Sequence, residues 1–265
     1  MYFGFMRSSD PAAPAFVQLA AHPLRWRLLT ELAASDYRVR ELVERAGQPQ
    51  SLVSYHLRLL RDGGLVTARR SSFDARDSYY HLDLEQCARA LGNAGTALHP
   101  ALGVALTPPP PPSLPAARRP AVLFACTGNS ARSPIAEALL RHRTDGRVEV
   151  TSAGSHPKPR LHADAVQLLR EQHGIDISRQ RPRHLDTLIG RRFDYVISLC
   201  DKVREVCPDF GDQAQLIHWS IPDPATARDP DPVGYPAFAR TAAEIDSRIR
   251  YLLPLLVPTP QEVQP

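Results

Sequence analysis

The sequence predicts two domains, a mostly α domain at the N-terminus and an α/β domain with a parallel sheet at the C-terminus. Three observations carry this expectation. The chain has 265 residues, more than one ordinary domain needs. Residues 108–112 are an unbroken run of prolines, set in a stretch from about 93 to 119 where helical periodicity is lost. Before that stretch apolar residues recur at helical spacing, and after it short β-prone runs alternate with helical ones. The expected division is a first domain over 11–95, a Pro-rich linker over 96–119, a second domain over 120–254 and a tail over 255–265. Polyproline rises about 3.1 Å per residue without internal hydrogen bonds, so the linker is expected to be a semi-rigid spacer. A docking motif for a proline-binding partner is the alternative.

Hydrophobic residues make up 43% and charged residues 23% of the chain, enough to build a core in each half. A net charge of +4 permits nucleic-acid binding without arguing for it, because a binding face needs a local cluster. Four cysteines, Cys87, Cys126, Cys200 and Cys207, in so long a chain do not suggest a secreted disulfide framework. Reactive thiols in a cytoplasmic protein are expected instead. No apolar run reaches the ~18 residues of a membrane span, and the opening residues lack the pattern of a signal peptide.

In the first domain, residues 11–21 are Ala-rich and helical, and Pro23 opens a helix with Leu24, Trp26, Leu28, Leu29 and Leu32 as its apolar side. A third helix over 39–46 stops at Gly47. A fourth begins at Gln50, with Leu52, Val53, Leu57 and Leu60 as the buried stripe and Gln50, Ser51, Ser54, Tyr55 and Arg58 on the other side. Residues 65–70 and 78–83 are then two strands around a polar turn, which completes a winged helix-turn-helix. The polar side chains of the fourth helix, with His56 beside them, can reach base edges and phosphates of a double-stranded DNA operator. Arg69, Arg70 and Arg76 of the wing can hold the DNA backbone. A solvated helix face and a charged hairpin are the plainer account of the same residues.

Leu19-Ala20-Ala21-His22-Pro23-Leu24-Arg25 and the run from Val53 to Val66 resemble the ArsR-type repressors, across about residues 11–95. The resemblance implies a homodimer formed through this domain, with two recognition helices reading a two-fold-symmetric operator. One departure stands out. Arsenic-sensing members place Cys-x-Cys on the helix before the turn, where this chain has Arg38-Val39-Arg40-Glu41-Leu42, and guanidinium groups do not ligate arsenite. Cys87 is expected to be a small core residue. His22, His56, His81 and His99 lack a metal-ligand spacing, so no metal is expected.

The second domain is organised around Cys126-Thr127-Gly128-Asn129-Ser130-Ala131-Arg132-Ser133-Pro134, between a strand over 121–125 and an apolar-faced helix running on from Ile135. Gly128 and Asn129 can take left-handed conformations that turn successive N–H groups inward as an anion nest. Ser133 is expected as the helix N-cap and Pro134 at the first helical position, so that the positive helix end faces the loop. Arg132 adds a planar fork of donors. The expected product is a low-pKa cysteine nucleophile under a cradle for a tetrahedral oxyanion, against a structural Cys in an ordinary turn.

Strands over 148–152, 193–199 and 216–219, with helices over 161–173 and 238–253, complete an α/β doubly wound, four-stranded parallel sheet. Ligands bind beyond the carboxyl ends of such strands, where the Cys126 loop falls. Cys200 and Cys207 follow the third strand, so Cys200 is placed to meet Cys126. In one regular helix, steps of ~1.5 Å would hold the Cα atoms of this pair about 10 Å apart. A disulfide tolerates less than about 7 Å, so the segment is expected to unwind on oxidation.

Over about residues 120–254 the chain resembles the low-molecular-weight protein tyrosine phosphatase family, most closely its arsenate reductase branch, whose loop reads Cys-Thr-Gly-Asn-Ser-x-Arg-Ser. Thioredoxin-coupled members also carry a cysteine pair in a segment like Ser198-Leu199-Cys200-Asp201 through Cys207-Pro208. The resemblance implies arsenate or phosphate held by Thr127, Gly128, Asn129, Ser130, Ala131 and Ser133, and catalysis by Cys126, Arg132, Cys200 and Cys207. It implies Asp223 as the acid, in the family's Asp-Pro loop, with Asp229 and Asp231 as rivals. No bound cofactor is implied, only an external dithiol such as thioredoxin.

The expected function is an arsenate reductase fused to an ArsR-type regulator, in arsenic resistance. A tyrosine phosphatase on the same loop is the first alternative, although Ala225 and Thr226 stand where phosphatases place aromatic walls. A non-catalytic repressor that senses an oxyanion is the second.

Overall fold

A computed structural model describes residues 12–103, 119–211, 213–226 and 234–256. The expected proline spacer at 108–112, the rival acids Asp229 and Asp231, and most of the tail lie outside the described residues. Among the described residues no helix is long and apolar enough to cross a membrane.

The N-terminal half runs α1 (Ala15–Ala20), α2 (Pro23–Ala34), β1 (Tyr37–Arg38), α3 (Val39–Ala46), α4 (Gln50–Asp62), β2 (Val66–Arg70), β3 (Ser78–Leu82) and α5 (Leu84–Leu98). Local chemistry sets these ends. The His22 ring accepts from the Leu24 N–H just before Pro23, Gly47 closes α3 at φ 60°, and the Asp83 carboxylate caps α5 by accepting from the Gln86 N–H. The strands form an antiparallel sheet in the order β1-β3-β2. Leu28, Leu42, Val53, Leu57 and Leu60 are fully buried beneath them.

Three expectations are corrected in this half. On α4, His56 is 4% exposed and Leu52 is 38% exposed, so the stripe is rotated away from Leu52, and His56 lies inside against the His22 ring at 4.3 Å. Trp26, expected on the apolar side of α2, is 58% exposed. Helical structure does not end near residue 93 but runs to Leu98, and a 3-10 turn at Pro100–Leu102 folds back on it. Gly95 permits that return, because a Cβ there would sit 2.6 Å from the Leu102 carbonyl oxygen.

The C-terminal half runs β4 (Ala121–Cys126), α6 (Arg132–Arg143), β5 (Glu149–Gly154), α7 (Ala163–His173), β6 (Tyr195–Ser198), α8 (Asp201–Val206), β7 (Gln215–His218) and α9 (Tyr235–Leu256). The four strands are parallel in the order β5-β4-β6-β7. Every residue of central β4 is buried, as expected of a strand covered on both faces.

The two halves are packed on one another rather than held apart. Asp36 is 3% exposed and faces Arg248, with both carboxylate oxygens 3.0 Å from one guanidinium nitrogen, and it accepts from the Ser220 N–H at 2.7 Å. The Asp36 N–H donates to the His218 carbonyl, and the His218 N–H donates to the Ser35 hydroxyl. Asp201, 2% exposed, accepts from the Ser72 N–H at 2.6 Å, the Ser72 hydroxyl, the Ser220 hydroxyl and His218 Nε2. Glu41 accepts from Arg204, and Glu244 from Arg69 and Arg248.

Removing one partner of a buried ion pair strands the other charge, at a cost of about 3–5 kcal/mol. Asp36→Ala is therefore expected to weaken the packing of the halves by about that amount, limited by separation of the halves, which frees Arg248. Calorimetry is expected to show unfolding divided into two transitions in the variant and a single transition in the parent.

Burial works against charge on Asp36, Glu41, Asp201 and Glu244, yet all four are held below the ordinary carboxylate range. The offsetting groups are Arg248 for Asp36, the Arg38 N–H and Arg204 for Glu41, His218, Ser220 and Ser72 for Asp201, and Arg248 and Arg69 for Glu244. A depressed carboxylate contributes stability that is complete above its unfolded value and is lost as pH falls through the lower folded value. The interface is thus expected to hold at neutral pH and to fail below about pH 4, which small-angle scattering across an acid titration would register as expansion.

Candidate active site

Between β4 and α6 the chain wraps Cys126 in its own backbone. The outward carbonyls of the loop are taken by the segment after β5: Cys126 by the Ser155 N–H at 3.3 Å, Thr127 by His156 at 2.8 Å, Gly128 by Lys158 at 2.9 Å and Ser130 by His162 at 2.8 Å. With those carbonyls turned out, loop N–H groups are left for the interior, and the Asn129 N–H donates to Cys126 Sγ at 3.2 Å.

Asn129 supplies the left-handed turn at φ 43°, while Gly128 is not among the positive-φ residues. The Asn129 amide pins the loop, donating to the Ser133 and Ser152 hydroxyls at 2.9 Å each and accepting from the Arg183 N–H at 2.8 Å. Gly154, at the end of β5, matters through close approach. A Cβ there would lie 2.6 Å from the Thr127 carbonyl oxygen and 2.9 Å from the Asn129 nitrogen.

Two details of the helix start differ from expectation. Ala131 is the N-cap residue and Ser133 lies inside α6, where its hydroxyl is 3.0 Å from Cys126 Sγ. Pro134 is the third helical residue rather than the first, still within the turn whose N–H groups have no intrahelical partner.

Arg132 is 5% exposed and donates to the Ile221 carbonyl at 2.9 Å and to Asp223 Oδ2 at 2.7 Å. The Asp223 carboxylate therefore engages the fork that an oxyanion would take. Burial pushes the Cys126 thiol up and the neighbouring Cys200 adds to it, while Arg132 and the Ser133 hydroxyl pull it down without cancelling the burial. The lowering expected from Arg132 and the loop donors is thus opposed by burial of the thiol.

Cys200 is the last residue before α8 and Cys207 the first after it. The parallel register sets Ala125 beside Ser198, and the Leu199 N–H donates to the Ala125 carbonyl at 2.7 Å, so Cys200 emerges beside the loop. Its sulfur lies 3.3 Å from the Thr127 hydroxyl. Burial pushes the Cys207 thiol up to about 11, which keeps it protonated at neutral pH while α8 is wound. Burial pushes the Cys87 thiol up to about 11 as well, and Cys87 packs against the N-terminal core. Among the described residues no cluster of His, Cys, Asp or Glu could hold a metal ion.

A model of the low molecular weight phosphotyrosine protein phosphatase family matches residues 121–264, more than half of the sequence. The chain belongs to that family. A model of the bacterial regulatory protein arsR family matches residues 22–68. Curated relatives of this family member are named arsenate reductase. That of Halalkalibacterium halodurans is 34% identical over 129 residues, covering 49% of this chain and 91% of its own length. That of Bacillus licheniformis is 36% identical over the same span and coverage. A solved arsenate reductase from Archaeoglobus fulgidus is 29% identical, covers 50% of this chain and 98% of its own, and superposes with a TM-score of 0.41.

Of the expected DNA-facing residues of the phosphatase-family chain, Gln50, Ser51, Ser54, Tyr55, Arg58 and Arg70 are exposed, with the Arg58 guanidinium 5.6 Å from the Tyr55 ring centroid. His56 is not on that face. Arg69 is turned into the junction of the halves, donating to the Ser220 carbonyl at 2.6 Å and to Glu244 at 3.1 Å, so it does not point toward DNA in this arrangement. Residues that sequence reasoning missed are Ser152, Gly154 and Arg183, which brace Asn129 and the loop, and Asp201 with His218, which fix the start of α8. Only Gly154, at the end of a β-prone run, carried a signal, since a strand glycine often marks close backbone approach.

Proposed function

We propose that the chain reduces arsenate to arsenite through Cys126, Cys200 and Cys207, and that its N-terminal half is a DNA-binding regulator of the ArsR type. The observation that carries the reading is the position of Cys200, with its sulfur 3.3 Å from Thr127 of the loop and one short helix separating it from Cys207. A phosphatase needs no second and third thiol at that place. The arsenate reductases among the relatives, at 34% and 36% identity over nearly their whole length, support the same reading.

Arsenate enters the loop and takes over the Arg132 fork from Asp223. Cys126 Sγ attacks arsenic, its proton passing to an arsenate oxygen, and Asp223 gives a second proton so that this oxygen leaves as water. Cys200 then attacks Cys126 Sγ. The sulfur–sulfur bond forms as the sulfur–arsenic bond breaks, and the electron pair stays on arsenic, which departs as arsenite. Cys207 attacks Cys200, freeing Cys126 as thiolate and leaving the Cys200–Cys207 disulfide. The two electrons delivered to arsenic come from two thiols, and an external dithiol such as thioredoxin restores them.

In the N-terminal half the exposed side of α4 and Arg70 face double-stranded DNA. A homodimer through this half is supported by the exposed Val17 on α1 and Leu91 and Leu98 on α5.

The reading is tested with purified protein, arsenate, thioredoxin, its reductase and reduced nicotinamide, alongside an aryl phosphate. Arsenate-dependent nicotinamide oxidation is expected. Release of phosphate without it would mean a phosphatase, and neither activity would mean a sensor. Asp223→Asn is expected to lower arsenate turnover about 10²–10³-fold, as read from steady-state rates at one pH.

A further inference from the structure

We infer that helix α8 is a joint: the oxidation state of its flanking cysteines sets whether the DNA-binding half stays docked on the reductase half. The inference rests on the relay reading for its natural oxidant, arsenate, which takes two electrons and two protons from the thiols of Cys200 and Cys207 and leaves their disulfide, arsenite and one water.

The argument begins with what holds α8. Of its six residues, Asp201, Arg204 and Glu205 all reach across to the N-terminal half. Asp201 accepts from the backbone N–H and the hydroxyl of Ser72, at the start of the β2–β3 turn, at 2.6 and 3.0 Å. Arg204 donates to both carboxylate oxygens of Glu41 on α3, at 2.5 and 3.3 Å. Glu205 accepts from Arg38 at 3.1 Å, and the Arg38 and Arg204 guanidinium groups lie 5.6 and 5.3 Å from the ring centroid of buried Tyr79. The wing and α3 thus grip the same short helix whose two ends are the cysteines.

Those grips depend on α8 being wound. A wound helix places the Cα atoms of Cys200 and Cys207 about 10 Å apart, and a disulfide requires less than about 7 Å. Closing the disulfide therefore draws in the two ends and displaces the side chains between them, Asp201, Arg204 and Glu205. The N-terminal half favours the wound, reduced helix, and by reciprocity the reduced helix favours docking. Release has a consequence at the wing as well, because Arg69 parts from Ser220 and Glu244 and is free to face a phosphate.

The test uses the full chain, oxidised with one equivalent of diamide, which accepts two electrons and two protons and needs no arsenate. Peptide mapping identifies the disulfide, and hydrogen exchange is followed at residues 36–46 and 66–77. With the Cys200–Cys207 bond in place, the Ser72 amide is expected to exchange at least about tenfold faster than in reduced protein, and Cys207→Ser treated alike is expected to show no change. A mapped Cys200–Cys207 bond with unchanged exchange overturns the joint and leaves the relay standing. Failure of that disulfide to form overturns both.

The reciprocal measurement uses Arg38→Gln/Glu41→Gln, which loosens the grip without touching a thiol. Its Cys200–Cys207 pair, equilibrated against a dithiothreitol buffer, is expected to shift toward disulfide by about fivefold or more. An equilibrium equal to the parent's overturns the inference.

Discussion

Cys126→Ser is expected to abolish both arsenate reduction and aryl phosphate hydrolysis, by at least about 10⁴-fold, because both begin with attack by this one sulfur. The fold is expected to survive, since a hydroxyl can keep the contacts to Ser133 and the Asn129 N–H now made by the thiol. Steady-state assays with both substrates, beside a thermal melt, check this. Retained turnover with arsenate would remove Cys126 from the chemistry, and a lowered melting temperature would point to a structural thiol.

Cys200→Ser separates the two activities. Loss of arsenate-dependent turnover is expected to be as complete as for Cys126→Ser, since without the second thiol the electron pair cannot reach arsenic. Aryl phosphate hydrolysis, whatever its level in the parent, is expected to persist, because water rather than a thiol resolves that intermediate. Cys200 reaches the loop through a hydrogen bond at the Thr127 hydroxyl. Equal loss of both activities would mean that Cys200 supports the loop and does not carry electrons.

The centre of the site was legible in the sequence because its chemistry is local. Cys126, Asn129, Arg132 and Ser133 lie within eight residues, and a strand-to-helix junction forces them around one point. Cys200 was legible through the order of elements, since β6 pairs directly with β4. The bracing of Asn129 by Ser152 and Arg183 was not, because those contacts join residues 23 and 54 positions apart and no periodicity records them.

The junction of the halves was hidden for the same reason. A proline-rich spacer suggests independent domains, whereas Asp36, Glu41 and Ser72 find partners on α8, β7 and α9 more than 120 positions later. Arg69 illustrates the limit of reading one residue at a time. Its place on a wing pointed to DNA, and the tertiary structure gives it Glu244 and the Ser220 carbonyl. The thiol of Cys126 shows the same competition, as loop donors argue for a thiolate and burial works against them.

The relay is tested most directly by mapping disulfides after a single turnover with arsenate and no external reductant. The account predicts a Cys200–Cys207 bond in the parent chain and a Cys126–Cys200 bond in Cys207→Ser, each matched by one arsenite released. Arsenite release with all three thiols still free, or with Cys126 joined to a thiol from outside the chain, would contradict it.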